Sequence, residues 1–140
     1  MIRVVEQSDV KSVNELLNQL GYEQSVKVTK GTIANLDKRN DEIFVYQFEG
    51  DVVAVMSLIY FDYFPSSERI CRITAIVVSD RVRGKGVGTE LIDFAKEVAD
   101  KKGCTQLEVT TSLKREKTQK YYASIGFDKS SYRYIQPLNS

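Results

Sequence analysis

Between residues 75 and 101 the sequence passes from an unbroken apolar run through a basic, glycine-rich loop into an amphipathic helix, a succession that few folds accommodate. Ala75, Ile76, Val77 and Val78 are apolar in a row, the pattern of a strand buried on both faces in the middle of a sheet. From Val87 the apolar residues Leu91, Ile92, Phe94, Ala95, Val98 and Ala99 return at helical spacing, opposite Glu90, Asp93, Lys96, Glu97 and Lys101. Gly103 is placed to close that helix. Three of the chain's eight glycines fall in the connection, Arg81-Val82-Arg83-Gly84-Lys85-Gly86-Val87-Gly88. Glycine admits a positive φ and close approach by a ligand, while the first turn of the next helix offers amides without a helical acceptor. Together these make a cradle for phosphate. The alternative is a glycine turn whose cations are merely solvated.

Two familiar nucleotide loops fit poorly. No Gly-Lys-Ser/Thr ending follows a glycine at the spacing of a Walker loop. A dinucleotide fingerprint is nearer, with Gly84 and Gly86 in place and Glu108 at a suitable distance, but Thr89 stands where the third glycine belongs. That fold also needs further βαβ units, for which too little chain remains after residue 110.

The rest of the chain supplies the layers around this unit. Ile2 to Val5 is a short strand, and Ser8 or Asp9 can cap a helix whose residues Val10, Val13, Leu16, Leu17 and Leu20 share a face that ends at Gly21. A weaker helix is expected from near Thr29 through Ile33 and Leu36 to about Arg39. Residues 43 to 48 and 52 to 61 read as antiparallel strands joined through Glu49-Gly50-Asp51, and residues 69 to 79 as a third strand of this group. A strand over 105 to 110, a helix over 114 to 125 stopped by Gly126, and a last strand or strands between Phe127 and Gln136 complete the order. The implied architecture is an α/β sandwich with a mixed sheet, an antiparallel front half joined to a βαβ unit. With no repeat or linker, residues 1 to 140 are expected to form one domain.

Composition removes several functions. Lys and Arg total 20 against 19 Asp and Glu, a net charge of +1, so nothing suggests bulk attraction to nucleic acid or to an anionic membrane. The start of the chain does not resemble a signal peptide and no window suits a membrane span, which reads as cytoplasmic. With no histidine, Ser-His-Asp hydrolysis, Cys-His proteolysis and His-ligated zinc are closed. Cys71 and Cys104 are too few for a disulfide scaffold or a four-thiolate metal site and are expected to be ordinary buried thiols.

The glycine loop resembles the acetyl-coenzyme A motif of the GNAT superfamily of acetyltransferases, Q/R-x-x-G-x-G/A, through Arg83, Gly86 and Gly88, with Gly84 as an additional glycine. Tyr121-Tyr122-Ala123-Ser124-Ile125-Gly126-Phe127 is similar to that family's Phe-Tyr-x-x-x-Gly-Phe block, so the resemblance covers nearly the whole chain. It implies a GNAT-type sandwich, a mixed central sheet of six to seven strands flanked by about four helices. It implies acetyl-coenzyme A as cosubstrate, with no metal. Amides of Gly84, Lys85, Gly86, Val87, Gly88 and Thr89 would hold the pyrophosphate. Ile76 and Val78 would pair with the pantetheine arm like an added strand, and Arg81, Arg83 and Lys85 would sit near phosphate charge.

Acetyl transfer needs a neutral amine, donors for the developing oxyanion and an acid for the departing thiolate. The resemblance gives the acid role to Tyr122. It also exposes two departures: Thr74 occupies a position where family members often carry a glutamate base, and Arg115 one where many have an asparagine. Glu108, Asp62 or Glu68 acting through water are candidate substitutes for the base, or else ordinary surface carboxylates. The acceptor pocket would come from Gly21-Tyr22-Glu23-Gln24 and Phe61-Asp62-Tyr63-Phe64-Pro65, although Tyr63 and Phe64 would equally suit a homodimer interface. The implied function is N-acetylation of a small-molecule amine. Acetylation of a protein lysine or N-terminal amine is the close variant, and a coenzyme-binding regulator without catalysis is the rival that Thr74 leaves open.

Overall fold

In the structure, a computed structural model that describes residues 1–138, two compact units meet the chain at different points: residues 1 to 109 build a five-stranded sheet with three helices, and the chain from Thr110 onward carries a fourth helix. The strands are β1 (Ile2–Val4), β2 (Asp41–Phe48), β3 (Asp51–Tyr63), β4 (Glu68–Val78) and β5 (Gln106–Val109). They lie in sequential order, antiparallel from β1 to β4 and parallel between β4 and β5. The helices are α1 (Val10–Leu20), α2 (Val26–Ala34), α3 (Val87–Lys101) and α4 (Glu116–Ser124). The mixed sheet and the four helices are as expected.

The strand count is not. Five strands form among the described residues where six to seven were expected, and the stretch after Phe127 contributes none. Tyr132, Tyr134 and Ile135 are residue types that favour strands, yet all three are exposed. Strand propensity is largely a preference for a packed, pleated surface, and without a neighbouring strand it has nothing to act through.

Each sheet face has its own helices. Val45, Val55 and Val77 stand in register across β2, β3 and β4 and join Val5, Val10, Val13, Leu16 and Ile33 in one cluster beneath α1 and α2. On the opposite face α3 buries Leu91, Ile92, Ala95 and Ala99. There Phe94 meets Phe44 edge to face at 4.9 Å, the Tyr46 hydroxyl donates to Glu90, and the Lys102 ammonium reaches Glu42 at 2.6 Å. The β2–β3 hairpin turns through Glu49 and Gly50, both with positive φ (51° and 85°), as a two-residue turn requires.

Helix α2 starts earlier than its apolar spacing suggested, because the Ser25 hydroxyl caps it by accepting from the Val28 amide at 3.2 Å, and it ends at Ala34 before a separate 3-10 turn at Leu36–Lys38. Strand β4 is also less enclosed than its sequence implied. Val77 is buried, but Ala75, Ile76 and Val78 are only half-buried. The register explains this: β3 pairs with β4 along its whole length, whereas β5 pairs only with Ile70 to Ile73. From Thr74 onward one edge of β4 has no strand beside it among the described residues. Thr74 is itself a bulge, since Ser57 opposes Ala75 and Leu58 opposes Ile73.

The first strand is tied to the first helix through Asp9. Its buried carboxylate takes two hydrogen bonds from the Arg3 guanidinium, at 2.7 and 2.9 Å, and one from the Glu6 amide at 2.8 Å. The bond to Arg3 holds the Asp9 carboxyl below its ordinary value of 3.8. A carboxylate so lowered stabilises the fold fully above the ordinary carboxylate range and loses that contribution as pH falls through the lowered value. Asp9→Asn should therefore cost about 2 kcal/mol at neutral pH. In urea unfolding the gap from the unsubstituted chain should hold steady from about pH 5 upward and narrow below about pH 4. A gap independent of pH would remove the ion pair from the account.

Candidate active site

The loop joining β4 to α3 is pinned at both ends and open between. Val82 and Val87 are buried, and Ser79 is buried just before them. The Ser79 amide donates to Val53 O at 2.8 Å, and the Ser79 hydroxyl accepts from the Arg81 amide at 3.3 Å. Amides of Val82 and Lys85 donate to Ser79 O and Val82 O, at 3.1 and 3.2 Å. These bonds wind the backbone into a tight turn that lifts residues 83 to 86 clear of the sheet.

Within that stretch Gly84 and Gly86 have φ of 78° and 80°, the left-handed region. A Cβ built on either meets nothing within 4 Å, so the glycines answer to backbone conformation and the space in front of the loop is open. Gly86 is the residue before α3, whose start carries no capping side chain. The amides of Val87 and Gly88 thus have no acceptor inside the helix and stand at its positive end. Thr89 follows in the same turn, exposed.

Cations ring this opening in loose, exposed pairs. Arg83 Nε lies 2.8 Å from Asp80 with both side chains more than 70% exposed, at 72% and 75%. Arg81 approaches Asp51 at 3.3 Å, and the Lys85 ammonium sits 5.3 Å from the Phe48 ring. Exposed pairs of this kind hold little energy, so a phosphate can take these cations at small cost. The loop, Arg81, Arg83, Lys85 and the open edge of β4 with Ile76 and Val78 all belong to the first unit. They fit a group with a diphosphate at one end and an extended amide-bearing arm.

The candidate bases fare unequally. Glu108 is held by Arg72 through Nε and Nη2, at 2.9 and 2.7 Å, and by Gln106 at 2.9 Å, which occupies both carboxylate oxygens. Asp62 and Glu68 are exposed near the β3–β4 turn, with Asp62 opposite Arg69 in the ladder. The sequence reading missed Ser57, whose hydroxyl lies 2.6 Å from that of Thr74. Its one signal was being the polar residue within Val52–Ile59. Neither cysteine is in a disulfide, and burial pushes the Cys71 thiol up to about 12.

In the second unit Tyr122 is buried, with the Phe127 ring 5.6 Å away at 69° and the Tyr121 ring at 5.7 Å. Gly126, at φ 103°, turns the chain back so that the Phe127 amide donates to Tyr122 O at 3.0 Å. Burial raises the phenol's pKa, opposed in part by the charge of Arg115 at the start of α4.

Comparison with known proteins agrees with this geometry. The model of the acetyltransferase (GNAT) family matches residues 11–127. The chain is 28% identical over 123 residues to the aminoalkylphosphonate N-acetyltransferase of Salmonella typhimurium, covering 88% of this chain and 78% of that protein. It is 32% identical over 78 residues to the thialysine N-epsilon-acetyltransferase of Mus musculus, 56% of this chain and 46% of that one. Among solved structures, an acetyltransferase of Trypanosoma brucei superposes with a TM-score of 0.78 at 30% identity over 99% of each chain. The glucosamine-6-phosphate N-acetyltransferase of Arabidopsis thaliana shares the fold, with a TM-score of 0.84 at 22% identity over 99% of this chain and 98% of that one.

Alanine at Gly84 or Gly86 would be forced into the left-handed region without any steric clash. Each substitution should cost about 1–2 kcal/mol in chemical unfolding. A smaller loss at both positions would mean that the loop relaxes to another backbone path.

Proposed function

The chain belongs to the GNAT family of acetyltransferases, and on that premise we propose that it moves an acetyl group from acetyl-coenzyme A to the primary amine of a small molecule. The observation that carries this reading is the uncapped start of α3 behind Gly84 and Gly86, reached from the unpartnered edge of β4. The match to the family runs across residue 109, which supports treating residues 1 to 140 as one acetyltransferase domain. The small-molecule acceptor follows the relatives, whose names specify aminoalkylphosphonate and thialysine. The two free thiols fit a reducing compartment, and we place the enzyme in the cytoplasm.

When bound, acetyl-coenzyme A supplies an activated thioester carbonyl; the rest of the mechanism belongs to the chain. Amides of the 84–89 segment, apart from that of Lys85, which is spent on Val82 O, and the cations Arg81, Arg83 and Lys85 hold phosphate charge. The edge of β4 at Ile76 and Val78 pairs with the arm and fixes its direction. Tyr122 gives its hydroxyl proton to the departing sulfur. Its phenol, held by burial above the ordinary value of 10.0, is protonated at neutral pH, the state in which an acid must wait. Phe61 to Pro65 and Gly21 to Gln24 are assigned to the acceptor side; Phe64, 94% exposed, would also serve a dimer contact. A regulator that binds the coenzyme without turnover is favoured by one feature alone, the hydroxyl of Thr74 in place of a carboxylate.

Millimolar acetyl-coenzyme A should raise the thermal unfolding midpoint, NADH should not, and free coenzyme A should appear on addition of 2-aminoethylphosphonate or thialysine. Gly86→Asp sets a carboxylate against phosphate and should abolish the shift. Tyr122→Phe should keep the shift while kcat falls at least about 100-fold. Binding without release from any amine would favour the regulator, and full turnover by the phenylalanine variant would remove Tyr122 from the chemistry.

A further inference from the structure

Resting on the acetyltransferase reading above, we propose that the Ser57–Thr74 hydroxyl pair receives the acceptor amine, and that the enzyme takes this amine as its free base rather than deprotonating it with a carboxylate. The location comes from the sheet. Strand β5 stops pairing after Ile73, Thr74 bulges at that point, and the unpartnered run from Thr74 to Val78 leads to the phosphate cradle. At about 3.3 Å per residue this run spans about 13 Å, comparable to an extended pantetheine arm. An arm laid from the cradle along it ends with its thioester beside Thr74.

The chemistry comes from the hydrogen bonds. The two hydroxyl oxygens are 2.6 Å apart, and Thr74 Oγ1 is also 3.3 Å from Ser57 O. Each hydroxyl has one proton. Both contacts are met when Thr74 donates to Ser57 O and Ser57 donates to Thr74 Oγ1. What remains facing outward is lone pairs. They accept an N–H of a neutral amine and aim its own lone pair; an ammonium could bond there too, but the hydroxyls lack the basicity to discharge it and it has no lone pair to attack with.

Among the described residues of the first unit, no other group near the pair is free to be that base. On this face of β2, β4 and β5 the charged side chains are Asp41, Glu68, Arg72 and Glu108; Asp41 is paired with Arg39 at 2.8 Å, Arg72 with Glu108 at 2.7 Å, and Glu68 stands exposed at the far end of β4, about 20 Å along the strand from Thr74. Asp62, further along β3, is exposed and opposes Arg69. On α1 the charged residues Lys11 and Glu15, and on α2 Lys27 and Lys30, are exposed away from the buried stripes. Those of α3 are exposed behind the opposite face. In the transfer the amine lone pair forms the C–N bond at the thioester carbonyl, the C–S bond breaks with its electrons leaving on sulfur, and the general acid protonates the sulfur. The surplus N–H proton leaves to water at the exposed Thr74 end, and the acid recovers a proton from solvent.

Two probes of different amine pKa test this, 2-aminoethylphosphonate and thialysine, whose thioether lowers its side-chain amine below the lysine value of about 10.4. The kcat/KM of each should rise tenfold per pH unit up to that amine's own pKa, so that the two curves are displaced from one another. Each amine should also bind to protein carrying coenzyme A, where no turnover occurs, as read by calorimetric titration. Thr74→Val should weaken that binding and lower kcat/KM about tenfold, the worth of one hydrogen bond, with the acetyl-coenzyme A midpoint shift unchanged; Thr74→Ser should restore both. Thr74→Glu should replace the moving limb with one fixed for both probes. A limb at the same pH for both amines in the unsubstituted enzyme overturns the inference while leaving acetyl transfer standing. Loss of the acetyl-coenzyme A shift itself, or no turnover of either probe at any pH, overturns the underlying reading as well.

Discussion

The incomplete pairing of β4 governs the rest of the molecule. A strand hydrogen-bonded on both sides along its whole length would be part of the core and nothing else. Here β3 holds one side of β4 from Glu68 to Val78, while β5 holds the other only from Ile70 to Ile73. The first half of the strand is thereby fixed in the sheet, with Ile70, Cys71 and Ile73 buried, and the second half is fixed on one edge and available on the other. An open edge inside a protein is a liability in general, since its amides and carbonyls seek partners. It is tolerable where a ligand with peptide-like bonds is the intended partner, and a pantetheine arm carries two such bonds.

The bulge at Thr74 and the turn at Ser79 set the two ends of that edge. One extra residue in β4 re-phases its side chains against β3, so that Ile76 and Val78 share the α3 face with Cys71 and Ile73. At the other end, Ser79, Val82 and Val87 anchor a loop whose projecting part consists of residues without a large apolar side chain to bury. The two left-handed glycines let that part fold back so that the helix start faces outward, uncapped. Capping by a serine or aspartate would have stabilised α3 by about 1 kcal/mol. The chain does without it, which is the expected signature of a helix start kept free for an anion.

Much of this was legible in the sequence where one local pattern carried the whole signal. Helices α1 and α3 were marked by apolar spacing and a terminal glycine, and the β2–β3 hairpin by Glu49-Gly50 between apolar runs. The loop from Arg83 to Gly88 announced its use through glycines that no packing requirement explains. What failed depended on partners the sequence does not display. The start of α2 turned on a capping hydroxyl at Ser25 rather than on periodicity. The expected strand near Tyr132–Ile135 needed a neighbouring ladder, and the apolar run at Ala75–Val78 looked fully enclosed because its pattern cannot say where β5 stops. Ser57 was passed over for the same reason, as its meaning depends on a cross-strand neighbour that only the register supplies.

The absence of histidine, together with Thr74 and Ser57 at the fork, gives the chemistry an uncommon character: its proposed groups are all hydroxyls. A carboxylate at Thr74 would assist a protonated amine but would also place a negative charge beside a strand edge that leads to phosphates. Hydroxyls avoid that repulsion and need no counter-ion. The cost falls on the acceptor, whose free base is a minor species at neutral pH when its pKa is that of an ordinary alkylamine. Such an arrangement suits amines of lowered basicity, in which a nearby electron-withdrawing atom keeps a larger fraction neutral. It links the choice of acceptor directly to Thr74, one of the two positions at which this chain departs from the family's pattern.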